Sequence, residues 1–432
     1  MQSASPFTSA LSRTKALSRP CPLCDASEGE VLHTQEYAAP PEIQTQRIVD
    51  VVGCPACGLV FADVAIAQTD LDKVYEEHSK YADTTLFGRG PTLEAREAAA
   101  PMPPEAPWDL ARLEATADYL ADQVADRGAR ILDAGCATGS LLGYLWRHGF
   151  TDLVGLDPSP LAVATATRIH PIVGVVGSFV TPPADLGQFD LVMLTHVLEH
   201  LGDVRTAAAS LARLVRPGGL AFLEVPDAAR YAELMVAPFH DFNTEHINHF
   251  SVALLDRLAT EHGFDAVDLG TKTVMCSARH SYPAAYGLFR KRPSSGSPVA
   301  PARNANSCVA DLGLVEETKR YVAASTALLA RIDADLRVEL RDMPSVAIWG
   351  AGQLTMKLLC DTVLADVDLV AIVDGSPQKH ALVMAGHVVQ APEVLGDRDV
   401  TIVIGSMHHA ESIASAIAER LPRATVVRLA ER

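Results

Sequence analysis

No run of 18 apolar residues occurs in this 432-residue sequence, so no segment is long and apolar enough for an ordinary membrane-spanning helix. Positive charge is scarce: 36 Lys and Arg stand against 53 Asp and Glu, a net charge of −17. Without a basic stripe to neutralise phosphates the balance argues against nucleic acid, leaving room only for a local basic pocket around one phosphorylated ligand. Residues 1–20 carry basic side chains but no apolar segment of signal-peptide length. They read as a disordered leader on a cytoplasmic protein. Cysteine is sparse, eight in the chain, and in that compartment serves as ligand or core residue rather than in disulfides. The glycine turns lack the Lys-Ser/Thr ending of a phosphate loop.

What is present begins with Arg130–Ser140, RILDAGCATGS. Ile131, Leu132 and Ala134 surround an acid, Asp133, and the turn Gly135-Cys136-Ala137-Thr138-Gly139 opens into a helical pattern. A strand, glycine turn and helix start in this order let a ligand approach backbone that has no Cβ, with free N–H groups pointing at it. A second apolar strand, Leu153 to Leu156, ends at Asp157-Pro158, where a doubly wound fold puts an acid on a ribose hydroxyl pair. Strand-like runs Ile172 to Val176, Phe189 to Leu194 and Leu220 to Val225 alternate with helical patterns, as a parallel sheet requires. The fourth strand ends at Thr195-His196 and continues Val197-Leu198-Glu199-His200. Ligands in such sheets sit beyond the carboxyl ends of the strands, so both histidines are candidates to meet a cofactor or an acceptor, against a plainer role in capping the next helix.

After the fifth strand comes PFHDFNTEHINHFS, Pro238 to Ser251. Three histidines, two acids and two asparagines in so aromatic a stretch need partners. Ser251 reads as the N-cap of a helix from Val252 to His262, which puts Glu245-His246 at the top of the sheet. His246 and His249 have the spacing of a zinc pair, but an acid/base pair is the better reading.

Two CPxC knuckles, Cys21-Pro22-Leu23-Cys24 and Cys54-Pro55-Ala56-Cys57, stand 29 residues apart. Four thiolates on tight turns make a tetrahedral zinc site with no open position, hence a structural one. A redox dithiol is the rival, without the strand-helix unit that such a pair needs. Tyr75 and Tyr81, with the turn Gly88-Arg89-Gly90, suggest a lid over the site. Lys291 to Ser307 is a Pro/Ser/Asn-rich linker. Leu314, Tyr321, Leu328, Leu329, Ile332, Leu336 and Leu340 form a helical stripe over Asp311 to Arg341, read as core rather than an oligomer zipper. Ser345 to Gln353 is a strand entering a second glycine turn, followed by strands ending at Asp374 and at Gly405-Ser406-Met407-His408-His409. The third glycine of a dinucleotide fingerprint is missing, so NAD is set aside.

These motifs resemble the class I S-adenosylmethionine (SAM) methyltransferases. The resemblance implies that Gly135 to Gly139, with Asp133, Cys136 and Ala137, pass under the methionine part of SAM, and that Asp157 and Pro158 hold the ribose. Ser178, where many members carry an acid, and Phe179 would lie beside the adenine, with Thr195 and His196 completing the pocket. The three-part order is similar to the nucleotide-sugar C-methyltransferases of deoxysugar biosynthesis. In that family the histidine of the Glu-His pair removes the proton beside a 4-keto group, and the enolate attacks the methyl. Carried over, the base is His246, supported by Glu245 and assisted by His200 at the carbonyl oxygen, with Tyr81 nearby. Asn243 stands where the family commonly has Tyr, and His196 where it commonly has Asn. Tyr75, Gly352, Gln353, Ser406 and His408 would hold the nucleotide-linked acceptor.

The expected fold class is therefore α/β: a disordered leader (1–20), a zinc-binding module (21–70), a connector or lid (71–107), a class I Rossmann-like SAM domain (108–290), a linker (291–310) and a second Rossmann-like domain led by a long helix (311–432). The expected cofactors are SAM and a structural Zn2+. The partner is a small-molecule acceptor, with neither nucleic acid nor membrane, and the protein a monomer or weak homo-oligomer. Two alternatives stand beside carbon methylation: an O- or N-methyltransferase of a natural product, and a SAM- or ligand-binding module without turnover.

Overall fold

The computed structural model describes residues 13–36, 48–78, 107–277, 279–293, 312–343, 345–380, 382–396 and 399–431. Strands β1 (Arg13–Ala16), β2 (Glu28–Glu36), β3 (Ile48–Gly53) and β4 (Val60–Ala62) form an antiparallel meander, followed by helix α1 (Gln68–His78). The leader is thus shorter than expected, because Arg13 to Ala16 pair with Glu28 to Val31. Helix α2 (Pro107–Gln123) enters the central unit: β5 (Arg130–Ala134), α3 (Ser140–Arg147), β6 (Asp152–Asp157), α4 (Pro160–Ile169), β7 (Val173–Val176), β8 (Phe189–Thr195), α5 (Val204–Leu214) and β9 (Val215–Pro226). A two-residue strand β10 (Asn248–His249), α6 (Val252–Glu261), β11 (Phe264–Met275) and β12 (Ser281–Lys291) complete it.

The central sheet has the order β11-β12-β9-β8-β5-β6-β7, parallel from β9 to β7, with β12 and β11 added antiparallel. Chain order reverses between β5 and β8, so the crevice above their carboxyl ends is where a ligand belongs. The strands on either side are mostly apolar (Ile131, Leu132, Leu191, Val192, Leu194 all buried), because helices cover both faces. β10 does not join this sheet. It pairs antiparallel with β4, Asn248 opposite Phe61 and His249 opposite Val60, and so closes the N-terminal sheet with residues from the middle of the chain.

Helix α7 (Leu312–Glu339) precedes β13 (Val346–Trp349), α8 (Gln353–Asp361), β14 (Leu369–Val373), β15 (Val383–Met384), β16 (His387–Gln390), β17 (Thr401–Ile404), α9 (Ala410–Arg420) and β18 (Thr425–Val427). These strands make a third sheet, β15-β16-β14-β13-β17-β18, parallel except for β15. The leucine stripe of α7 is buried as expected, but not only against the third sheet: α7 also packs on β2, on β4 and on the turn at Ala228–Arg230. One apolar core therefore runs from Val52 and Phe61 through Leu194 and Tyr321 to Ile348. The linker falls outside the described residues from 294 onward. Among the described residues no helix is long and apolar enough to cross a membrane.

The hydroxyl of buried Tyr321 on α7 accepts from the Asp241 backbone N–H at 3.0 Å, tying the helix to the 238–250 segment. Tyr321→Phe leaves that N–H without its partner and is predicted to cost about 1–3 kcal/mol. A denaturant titration checks this; an unchanged midpoint would contradict it.

Candidate functional site

The glycine turn after β5 places main chain, not side chains, at the crevice. Gly135 and Gly139 take φ of +80° and +78°, and a Cβ on Gly135 would meet Val197 Cγ2 at 2.6 Å, so both turn conformation and space demand glycine there. Asp157, at the end of β6, accepts from the Ala137 N–H (3.0 Å) and the Ser159 N–H (2.9 Å), locking the two loops together. Burial outweighs these donors and raises its pKa. Asp133 is only 2% exposed, its Oδ1 has no hydrogen-bond partner, and burial with help from Asp157 pushes its pKa up to about 7 against the pull of Arg112.

A cavity of about 450 Å3 opens on this turn. Asp133, Gly135, Cys136, Ala137, Asp157, Pro158, Ser178, Phe179, Thr195 and His196 line it, together with Tyr75, His200, Asn243, Glu245, His246 and His408. Gly139 is not in its wall; its missing Cβ instead lets α3 approach Ala166, 2.9 Å from where that atom would be. Tyr81 lies outside the described residues, as does the glycine turn of the proposed lid.

His196, at φ +56°, is placed differently from expectation. Its Nδ1 lies 3.1 Å from Glu199 Oε1 and its Nε2 3.3 Å from Glu224 Oε1, with the Tyr282 hydroxyl at 3.2 Å. Burial alone would depress its pKa, but the two carboxylates prevail and raise it. Glu224 also meets Arg112 (3.2 Å) and Lys272 (2.5 Å). Burial opposes its ionisation, yet His196, Lys272 and Arg112 hold it well below the usual carboxylate range. Both ring nitrogens of His196 thus serve a buried charge network rather than standing free toward a cofactor. Sequence reading missed Arg112, Lys272 and Tyr282 because nothing in their own segments marks them. Glu224 had a signal, a single acid in the otherwise apolar LAFLEVP.

On the opposite wall His200 Nδ1 lies 3.1 Å from the Glu245 carbonyl and 2.8 Å from the Tyr75 hydroxyl. A carbonyl only accepts, whereas the Tyr75 hydroxyl can donate or accept, so the contact to the carbonyl is a hydrogen bond in the tautomer that carries its proton on Nδ1. In that tautomer Nε2 carries the lone pair. Tyr75 keeps its proton, since burial, then Glu245, Glu199 and Asp157, push its pKa well above normal. The His246 ring stands edge-on to His200, centroids 4.9 Å apart, and burial plus the neighbouring histidines hold its pKa well below normal. Asn243 is a turn residue: its Oδ1 accepts from the Glu245 (2.9 Å) and His246 (2.8 Å) N–H groups. Glu245 reaches His200 through its main chain, and among the described residues no hydrogen bond joins its carboxylate to His246. His249, the partner considered for a zinc pair, is buried in β10 on the Tyr231 hydroxyl (3.3 Å) and shares no ligand cluster with His246.

A second cavity, about 720 Å3, lies at the carboxyl ends of β13, β14 and β17, lined by Gly350, Gly352, Gln353, Asp374, Lys379, Ser406, His408 and Arg420 among others. It shares His240 and His408 with the first. Asp374 repeats the geometry of Asp157, accepting from the Ala351 N–H of the glycine turn (2.7 Å) and the Ser376 N–H (2.8 Å). Gln353, read as a ligand contact, spends its amide on the Phe242 carbonyl (2.9 Å) and so joins the third unit to the 238–250 segment.

The four knuckle cysteines converge, Cys21 Sγ 3.6 Å from Cys57 Sγ and Cys24 Sγ 3.5 Å from Cys54 Sγ, all within 4.8 Å. A tetrahedron of thiolates about 2.3 Å from a metal has edges of about 3.8 Å, so the set has the size and chemistry for zinc.

Asp133 also yields a stability test. Below the unfolded value of 3.8 both states are protonated; as pH rises toward 7 the unfolded state ionises first, so folding stability falls and the penalty is complete above pH 7. Asp133→Asn should therefore melt above wild type at about pH 8, by up to about 4 kcal/mol, with the difference vanishing near about pH 4. Ligand-free melts across this range check it, and a pH-independent difference would contradict it.

Residues 109–269 match the family model of a methyltransferase domain. The ubiquinone biosynthesis O-methyltransferase of Rhizobium etli (strain CIAT 652) is 37% identical over 120 residues, 26% of this chain and 48% of that protein. The enzyme of the same name from Xanthomonas campestris pv. campestris (strain B100) is 36% identical over 113 residues, 24% of this chain and 46% of that protein. The chain thus spans about half the length of the curated relatives it matches. A solved S-adenosylmethionine dependent methyltransferase from Mesorhizobium loti is 18% identical, covers 41% of this chain and 100% of its own, and aligns with a TM-score of 0.34. The glycine turn locked to Asp157, on a parallel sheet extended by antiparallel β12 and β11, agrees with the family match: this segment is a class I SAM-dependent methyltransferase domain.

Proposed function

We propose that the protein is a SAM-dependent methyltransferase that methylates a carbon of a nucleotide-linked keto-sugar, with His246 as the base. The observation that carries this reading is that the cavity on the glycine turn reaches a neutral, buried imidazole and then abuts a second cavity of nucleotide size. The Gly135–Ala137 turn, Asp157 and the orphaned oxygen of Asp133 would hold SAM, which would supply an electrophilic methyl group. The acceptor's sugar lies beside His246, whose lone pair takes the proton next to the carbonyl. The Tyr75 hydroxyl, positioned 2.8 Å from His200 Nδ1, keeps its proton and donates it in a hydrogen bond to the carbonyl oxygen as charge develops there. It supplies the phenol that the Asn243 position lacks. The nucleotide extends into the second cavity, its ribose on Asp374 and its phosphates near Lys379 and the Gly350–Gly352 turn.

Structural zinc on Cys21, Cys24, Cys54 and Cys57 holds the N-terminal sheet, too small to be stable alone. A second reading is favoured by the names of the relatives, which denote oxygen methylation; there the same histidine deprotonates a hydroxyl.

Labelled SAM incubated with nucleotide 4-keto-sugars is expected to place label on carbon, whereas label only on a heteroatom of another acceptor would favour the second reading. His246→Ala is expected to lower kcat by about 10²-fold or more; full turnover in that variant would overturn the base assignment. Elemental analysis should find zinc in the wild type, lost with loss of fold in Cys54→Ser. Metal retained at full occupancy in that variant would contradict the four-cysteine site.

A further inference from the structure

Three side chains with metal-ligating atoms, Glu199, His200 and His246, converge on the acceptor side of the cavity. Glu199, 1% exposed, follows β8; its Oε1 takes the His196 Nδ1 proton at 3.1 Å, while its Oε2 is buried with no hydrogen-bond partner. His200 Nε2 lies 3.9 Å from Oε1 of that carboxylate. One nitrogen of His246 completes the set, and the three ligand atoms lie within 4.8 Å of one another. At 3.9 Å no hydrogen bond joins His200 to Glu199, and the buried Oε2 beside them is an unpartnered acceptor that a cation at this cluster would satisfy.

We infer that Glu199, His200 and His246 form a second metal site, separate from the cysteine cluster, for a borderline divalent cation of the zinc and cobalt class. Two imidazoles and one carboxylate are the donor set that suits such ions, and three protein ligands leave positions open for a further oxygen. The partners behind the ligands are those that metal-binding side chains use. His200 is oriented by its Nδ1–H on the Glu245 carbonyl, and Glu199 by His196, itself fixed by Glu224. Asn243 sets the direction of His246 by fixing its backbone N–H. Since the cation takes the lone pair assigned above to proton removal, occupation of this site and turnover exclude one another, a consequence that rests on that assignment.

The test holds no acceptor and so does not depend on which atom is methylated. Protein carrying its cysteine-bound metal is titrated with Co2+ by calorimetry, and total metal is then counted by elemental analysis. Wild type should take up one equivalent beyond the cysteine site. Glu199→Gln, His200→Ala and His246→Ala should each weaken that equivalent by about tenfold or more, while retaining wild-type SAM affinity as the check on folding. No further equivalent in wild type, or an unweakened one in SAM-binding variants, overturns the inference.

Discussion

The geometry of the acceptor wall depends on the pairing of two residues, Asn248 and His249, with β4. Through it the Pro238–Ser251 segment, which carries Glu245 and His246, is anchored to the edge of the N-terminal sheet. The Asn248 side chain donates to the Leu201 (2.7 Å) and Leu198 (3.2 Å) carbonyls, and the Ile247 N–H to the Glu199 carbonyl (2.9 Å), so the loop after β8 is held by the same strand. Arg19, from the N-terminal module, reaches the Gly202 and Ile247 carbonyls at 3.2 Å each. His200 and His246 come from loops well separated in the chain, and these bonds fix them against each other. In the proposed reading the cysteine cluster acts at a distance: metal bound there would stabilise the sheet against which the two histidine loops are held.

The two Rossmann-like units solve one problem twice. In each, an aspartate after the second strand accepts from the glycine turn and from the N–H two residues beyond itself, which sets the loop height and leaves the rest of the carboxylate facing the cavity. Around this common device the electrostatics differ. The central unit surrounds Glu224 with His196, Arg112 and Lys272, a network buried enough that loss of one member would strand the others. The third unit instead places Lys379 directly on Asp374 at 3.0 Å.

Local signals were legible in the sequence: the glycine turns, the acids after the second strands, the CPxC knuckles, the Ser251 cap and the buried stripe of α7. Each depends on a short window of residues, where backbone conformation and periodicity are set. What was not legible depends on pairing across long separations. β10 is too short to have a strand pattern, and its partner β4 lies far earlier in the chain, before the whole parallel sheet. His196 looked like a cofactor contact because its position at a strand end was visible, while the acids and Tyr282 that occupy its nitrogens were not. Asn243, read as a catalytic-site residue, and Gln353, read as a substrate contact, have side-chain bonds to main chain that their own segments did not reveal. A polar residue in a motif reports where it is, but its free valences are set by neighbours distant in sequence.

In the proposed reaction this cavity brings a proton-removing imidazole to a carbon beside a carbonyl. Proton exchange measures that step directly. A nucleotide 4-keto-sugar incubated with the protein in D2O, with SAM replaced by its demethylated product, should take up deuterium at the carbon adjacent to the ketone, as read by NMR. Binding of both ligands with no deuterium uptake above the enzyme-free rate would contradict it.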